Sequence, residues 1–200
     1  MNTPIAWIIL IANVLLSLSV MNGKSDLHRK LMLHPFSFIR EKRYWQVLTS
    51  GFIHADITHL LFNMMTFYFF AFPLEQVIGS LSFAILYFLG LVLSDISTII
   101  KHKDNPGYFS LGASGAVSTV LFSYILFDPL TKLYIFFIPI GIPAYIFGGL
   151  YLIYCAYAAK QNRGNINHDA HFYGALTGLV ITIIMYPNIL GHFINTVLGS

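Results

Sequence analysis

A serine flanked by small residues stands at the start of one of the apolar runs of this chain. Gly112, Ala113, Ser114 and Gly115 come directly before the run from Ala116 to Phe127. Small neighbours allow the serine hydroxyl, its backbone N–H and an adjacent helix to come close together. An acyl-transfer nucleophile needs these groups in one place. Quartets of small residues are also common where membrane helices pack, so a purely structural role stays open at this point.

Three polar residues, His54, His59 and Asn63, stand at the start of another apolar run. His59 and Asn63 are four residues apart and share a helix face, whereas His54 comes just before the helix and can fold back over its end. Polar side chains at membrane depth are costly without partners, so three of them together indicate a functional site. The alternative for each is interhelical hydrogen bonding, and for His59 we expect that structural role.

The last apolar run carries Gly174 and Gly178, which form a GxxxG face that lets a helix approach its neighbour closely. His171 lies three residues before Gly174 and therefore on the same side of the helix. If the neighbouring helix is the one that begins at Ser114, a Ser-His pair results.

The composition is that of an integral membrane protein. Of the 200 residues 56% are hydrophobic and only 10% are charged, and the mean hydropathy is +0.71. The net charge is +3, but the basic residues form no aromatic-interleaved stripe, so we expect no nucleic-acid partner. Cys155 is the single cysteine, so we expect neither an intrachain disulfide nor a cysteine-based metal site. We expect it to serve packing.

The apolar runs predict six membrane spans, since a hydrocarbon core of about 30 Å takes roughly 17 to 25 helical residues. The spans are Ile5 to Met21, Ile57 to Phe72, Leu81 to Ile100, Gly112 to Phe127, Ile138 to Ala159 and His171 to Leu190. The first run lacks a basic leader, so we expect a retained span. We expect the long connection Asn22 to Asp56 to be an amphipathic element at the membrane surface, and Asp128 to Phe137 to be a short interfacial segment. Residues 1–200 then form one all-α domain.

The basic residues predict an orientation. Ten of the eleven fall on one side of the predicted bundle, namely Lys24, Arg29, Lys30, Arg40, Lys42, Arg43, Lys101, Lys103, Lys160 and Arg163. Only Lys132 lies opposite. The positive-inside rule would place both termini outside the cytoplasm.

The order of the motifs resembles the rhomboid family of intramembrane serine proteases. The resemblance rests on His54-x4-His59-x3-Asn63, the quartet around Ser114, and Ala170-His171-x2-Gly174-x3-Gly178, in that order on a chain of six spans. Further similar positions flank the second span: Trp45, Thr49, Phe52, Glu75 and Gly79.

The resemblance implies an endopeptidase that cuts transmembrane segments of other proteins in the lipid bilayer through an acyl-enzyme. It makes Ser114 the nucleophile and His171 the general base and later the acid. The oxyanion would be held by the Ser114 N–H with the side chains of His54 and Asn63. No cofactor or metal is expected, and Asp169 would be a loop or cap residue. The remaining motif residues would be structural: His59, Gly112, Gly115, Glu75, Gly79, Gly174 and Gly178.

Two positions depart from the family pattern. Gln46 stands where the family usually has arginine after Trp45, and Ser118 stands where it often has an aromatic residue that stacks on the catalytic histidine. The orientation of His171 must then depend on Tyr173, Phe172 or a neighbouring helix. The usual family arrangement has both termini in the cytoplasm and the site toward the outer face, and we adopt it over the charge count. We expect the cytoplasmic membrane of a bacterium as the location.

Two other functions compete with the protease. One is a catalytically silent rhomboid-like protein that binds membrane proteins or serves their quality control, and the joint presence of Ser114, His171, His54 and Asn63 argues against it. The other is a metal- or haem-binding bundle that uses the histidines His54, His59, His168 and His171. The metal-binding function is disfavoured because no thiolate is available to these histidines. In addition, no Glu shares a helix face with either pair, His54 with His59 or His168 with His171.

Overall fold

The computed structural model describes residues 2–21, 26–134, 140–161 and 166–199, which are mostly helical. The helices of these residues are α1 (Pro4–Val20), α2 (Asp26–Leu31), α3 (Pro35–Arg40), α4 (Gln46–Thr49), α5 (Ile57–Ile78), α6 (Ser80–Ser94), α7 (Ile96–His102), α8 (Ser114–Phe127), α9 (Ala144–Gln161), α10 (His168–Met185) and α11 (Ile189–Leu198). Lys24, Arg163, Phe137 and the predicted start of the fifth span at Ile138 lie outside the described residues.

The predicted fold class needs one correction, because the region after α8 contains a small sheet. Strand β1 (Lys132–Tyr134) pairs antiparallel with β2 (Gly141–Pro143), with Lys132 opposite Pro143. The segment predicted to be interfacial therefore begins a hairpin that leads into α9, and the described part of the chain is not purely α-helical.

The second predicted span continues past Pro73, where the sequence predicted a loop. Helix α5 reaches Ile78 and ends at Gly79, whose φ of +80° suits glycine. The last turn is held by the buried Glu75 carboxylate, which accepts the backbone N–H groups of Ile5 at 3.1 Å and Ala6 at 2.7 Å and the Ser80 hydroxyl at 2.6 Å. Glu75 thereby caps the N-terminus of α1, where a negative charge is favourable. This anchor offsets the backbone hydrogen bond that proline cannot make.

Length and hydropathy identify fewer spans than the six predicted. In the described residues, Ile57–Ile78 and Ser80–His102 are long and apolar enough to cross a membrane, and α1 and α8 are apolar but shorter. The last predicted span is not one straight helix, because α10 and α11 meet at an angle of 110°. Pro187 lies between them and cannot continue a helix. Together α10 and α11 count as a third span if the bent pair crosses as one unit.

The first long connection is a structured element, as predicted. Backbone hydrogen bonds of 2.9 Å join Leu33 and Ser110 in both directions and tie this element to the loop before α8. Gln46 is buried and takes part in the packing: its side-chain oxygen accepts the His34 N–H, and its amide donates to the Lys30 carbonyl, both at 3.3 Å. Gln46, which stands where the family usually has arginine, therefore still links parts of this connection through hydrogen bonds.

Helix α8 lies at the centre of the bundle, buried at every residue from Gly115 to Ser123. Helix α10 packs directly against it. A Cβ built on Gly174 would lie 2.9 Å from the carbonyl carbon of Gly115, and one on Gly178 would lie 3.0 Å from that of Thr119. The Thr119 hydroxyl donates to the Gly174 carbonyl at 2.8 Å across the same contact. The predicted packing of the glycine face on the serine helix is confirmed.

This packing predicts that even a methyl group at the contact is harmful. Gly174→Ala and Gly178→Ala should each lower the stability by about 1–3 kcal/mol, because the new Cβ meets backbone that cannot move aside cheaply. Gly149→Ala on α9 is the matched control, since an added Cβ there meets nothing within 4 Å. Thermal unfolding in detergent checks this, and equal melting temperatures for all three variants would contradict it.

Candidate functional site

A partly open cavity of about 980 Å³ lies at the N-terminal end of α8. Its walls come from the start of α5, the loop before α8, α8 itself, α9 and the start of α10. Four of the polar residues singled out in the sequence line it together: His59, Asn63, Ser114 and His171. His59 and His171, which are 112 positions apart in the chain, thus line the same cavity.

Ser114 is the first residue of α8, and the turn before it depends on glycine. Gly112 has φ +117°, which other residues rarely adopt, and its N–H donates to the Ser50 carbonyl at 2.9 Å. A Cβ on Gly112 would lie 2.7 Å from Cε1 of the His59 ring, so the glycine also allows this close approach. Because Ser114 opens the helix, its N–H has no intrahelical acceptor and can bind an anionic group.

His59 and Asn63 are positioned by the first turns of α5. Asp56 caps this helix by accepting the His59 N–H at 2.7 Å. The Asn63 amide donates to the His59 carbonyl at 3.0 Å, and its side chain is almost fully buried. Two potential hydrogen-bond donors, the Asn63 amide and the His59 ring, therefore stand on one face of α5 opposite the N-terminus of α8.

His54, which the resemblance assigns to the oxyanion hole, lies beside the loop that leads to Ser114. His54 is fully buried and does not line the cavity. Its Nδ1 lies 2.9 Å from the Ser17 hydroxyl, which itself donates to the Phe52 carbonyl at 3.2 Å, so Nδ1 must carry the proton and donate to Ser17. Nε2 is then the acceptor for the Ala113 N–H at 3.5 Å.

The surroundings of His54 keep it neutral. Burial, reinforced by the nearby His59, holds the pKa of His54 well below its ordinary value. With both ring nitrogens engaged, His54 ties α1 to the loop before Ser114. Of the two histidines, His54 is fully buried and His59 lines the cavity. The oxyanion role expected for His54 and the structural role expected for His59 stay predictions.

His171 stands one turn into α10, whose start is fixed to the loop before α8. The Asn167 side chain accepts the Ala170 N–H at 3.0 Å and donates to the hydroxyls of Thr98 at 2.9 Å and Ser110 at 3.1 Å. Asp169 pairs with Lys101 at 2.9 Å and does not bind His171, which agrees with its predicted role. Among the described hydrogen bonds none joins Ser114 to His171; such contacts are often long before substrate binds.

Tyr151 of α9 places an aromatic ring beside His171 and its hydroxyl beside Ser118. The Tyr151 ring lies nearly parallel to that of His171, with an interplanar angle of 18° and centroids 6.4 Å apart. Its hydroxyl lies 3.3 Å from the Ser118 hydroxyl. Of the alternatives for orienting His171, the neighbouring helix is therefore the one present, whereas Phe172 and Tyr173 pack on each other. The sequence signal was the small polar Ser118 itself, which leaves room for a ring from elsewhere.

A possible metal-binding group also differs from the one considered in the sequence. In the described residues, ligand atoms of Cys155, His168 and His171 lie within 4.8 Å of one another. A thiol is therefore close to two of the histidines, although His54 and His59 do not belong to this group.

Comparison with known proteins agrees with the motif order. The family model described as Rhomboid domain matches residues 41–188. RHOMBOID-like protein 12, mitochondrial, of Arabidopsis thaliana is 29% identical over 69% of this chain, and the match spans 45% of its own length. Putative rhomboid protease YdcA of Bacillus subtilis is 29% identical over 70% of this chain and 67% of its own.

A third relative is matched over most of both chains. Rhomboid protease GlpG of Haemophilus influenzae is 27% identical over 84% of this chain and 83% of its own. The family match covers the turn at Gly112, the serine helix and the histidine helix, together with the apolar helices α5 and α6. The chain is an integral membrane protein that belongs to the rhomboid family.

Proposed function

We propose that this protein is an intramembrane serine endopeptidase that cuts peptide bonds in or near transmembrane segments of other membrane proteins. The observation that carries the proposal is the shared cavity of Ser114 and His171, on two helices locked together through Gly174 and Gly178. We take α1, α5, α6 with α7, α8, α9 and α10 as the six spans of the bundle, in the cytoplasmic membrane of a bacterium, with both termini in the cytoplasm and the cavity toward the outer face.

The length of α8 supports a site below the membrane surface. Its 14 residues extend for about 21 Å, whereas the hydrocarbon core is about 30 Å thick. If Phe127 reaches one surface, Ser114 lies roughly 9 Å below the other. The cavity then supplies the water that hydrolysis needs at this depth.

The proposed reaction runs through an acyl-enzyme. The Ser114 hydroxyl attacks the carbonyl carbon of the scissile bond while a ring nitrogen of His171 takes its proton. His171 then gives that proton to the leaving amine, which breaks the peptide bond. A water molecule, deprotonated by the same nitrogen, releases the new carboxyl end from Ser114.

The oxyanion of each tetrahedral intermediate would be held by three donors: the Ser114 N–H, the Asn63 amide and the His59 ring. We propose His59 in place of His54 because His59 lines the cavity. The first lies at a helix N-terminus, which favours negative charge. Preorganised donors in a site that contains little water are each worth a few kcal/mol to the reaction.

Replacement of either member of the dyad should abolish cleavage. Ser114→Ala and His171→Ala should each lower turnover of a model transmembrane substrate by at least about a thousandfold, and the double variant should be no worse, because the two residues act as one unit. Gel-based cleavage by reconstituted protein checks this. Substantial cleavage by Ser114→Ala would refute the dyad, and no cleavage by folded wild type on any transmembrane substrate would favour the silent membrane-protein binder.

The two histidines before and within α5 should behave differently. His59→Ala and Asn63→Ala should lower kcat by about ten- to a thousandfold with little change in KM, the scale of losing one oxyanion donor. His54→Ala should instead lower the melting temperature, because it removes the hydrogen bonds of His54 to the Ser17 hydroxyl and to the buried Ala113 N–H. The reverse pattern, with His54→Ala stable but inactive and His59→Ala fully active, would restore the original assignment.

Tyr151 should act as a positioning residue for His171. Tyr151→Leu should lower kcat by about tenfold at nearly unchanged KM, whereas Tyr151→Phe should retain most activity because it keeps the ring. Tyr157→Leu is the control, since Tyr157 is exposed on the same helix. If the Leu and Phe variants of Tyr151 lose equal activity, stacking on His171 is not what Tyr151 provides.

A further inference from the structure

Cys155 of α9 and His168 and His171 of α10 form a compact group, of which His171 lines the cavity. One ligand atom of each lies within 4.8 Å of the others. The His168 ring stands edge-on to His171, with centroids 6.0 Å apart. The proposed reaction uses only His171, so it gives no role to the thiol and the second imidazole.

One of these side chains has a buried polar atom without a hydrogen-bond partner. His168 is 8% exposed, and its Nδ1 has no hydrogen-bond partner. Cys155 is fully buried and free of any disulfide. A buried ring nitrogen without a partner costs about 1–3 kcal/mol, which a bound ligand would recover.

The chemistry of the three side chains determines which metal ion they would hold. One thiolate and two imidazoles make a soft ligand set that favours Zn²⁺ over Mg²⁺ or Ca²⁺. A tetrahedral Zn²⁺ places such ligands roughly 3.3 to 3.6 Å apart, so the group must close by about 1 Å.

We propose that Cys155, His168 and His171 bind a Zn²⁺ ion that reversibly switches the protease off. Binding releases the Cys155 thiol proton to solvent and involves no electron transfer, and the fourth position stays open to water from the cavity. The inhibitory part rests on the proposed function. A neutral imidazole has a single lone pair, so His171 cannot accept the Ser114 proton while either of its nitrogens binds the metal.

The binding test does not depend on catalysis. Ser114→Ala protein is titrated with Co²⁺, a spectroscopic substitute for Zn²⁺. One Co²⁺ per chain with visible tetrahedral bands and a thiolate charge-transfer band is expected. The tetrahedral bands and the charge-transfer band should disappear when the Ser114→Ala protein also carries Cys155→Ser or His168→Asn. They should persist when it carries His192→Asn, since His192 lies on α11 and contacts the Phe127 carbonyl instead. Absence of the bands, or their persistence with Cys155→Ser, would overturn the site.

The inhibition test uses the catalytically complete protein. Zn²⁺ should stop cleavage and a chelator should restore it, while Mg²⁺ should have no effect. Cys155→Ser and His168→Asn should keep their basal cleavage and need at least about tenfold more Zn²⁺ for half-inhibition. If Co²⁺ binds with the expected bands but Zn²⁺ does not inhibit cleavage, the metal site stands and the inhibitory switch is wrong. If the wild type never cleaves, the proposed function is wrong, and the Co²⁺ titration still decides whether the metal site exists.

Discussion

The backbone contact between α8 and α10 is the constraint on which the site depends. In a bilayer no hydrophobic force drives helices together, so close packing and interhelical hydrogen bonds must do so. Gly174 and Gly178 bring α10 against the carbonyl groups of Gly115 and Thr119, and the Thr119 hydroxyl closes the contact with a hydrogen bond. His171 lies one turn from this seam, so its position relative to the serine helix is set by backbone and not by flexible side chains.

Helix α8 also packs closely against α6 on its other side. A Cβ on Gly115 would lie 2.7 Å from the Cβ of Ser94, and one on Gly90 would lie 2.6 Å from the Cβ of Thr119. Helix α8 is thus held between α6 and α10 at distances that only small residues permit. Two buried polar side chains also hold α1 in place. Glu75 of α5 and His54 of the loop before α5 each form hydrogen bonds with residues of α1. Such satisfied polar ties cost little in a low-dielectric interior and fix one arrangement.

The parts of the fold that follow from local rules could be predicted from the sequence. The turn at Gly112, the start of a helix at Ser114 and the glycine face of α10 depend on residues within a few positions of one another. The continuation of α5 through Pro73 could not be predicted, because it depends on Glu75 capping α1, a contact between residues about 70 positions apart.

The candidate site also contains features that depend on tertiary packing and could not be predicted from the sequence. Spacing alone could not separate His54 from His59, since both precede or begin the same helix; burial against Ser17 of α1 distinguishes them. Ser118 signalled a missing ring, but only the packing of α9 shows that Tyr151 supplies it. The proximity of Cys155 to the two histidines of α10 is likewise a product of tertiary packing between helices and leaves no pattern in the sequence.

Covalent trapping of the nucleophile tests the central claim most directly. Reconstituted protein is treated with a serine-directed fluorophosphonate, digested and mapped by mass spectrometry. Attack of a serine on this reagent requires an activated hydroxyl, so ordinary serines of the chain serve as internal controls. We expect one adduct, on Ser114, that is lost when His171 is replaced by alanine. An adduct on another serine, or no adduct on folded protein, would contradict it.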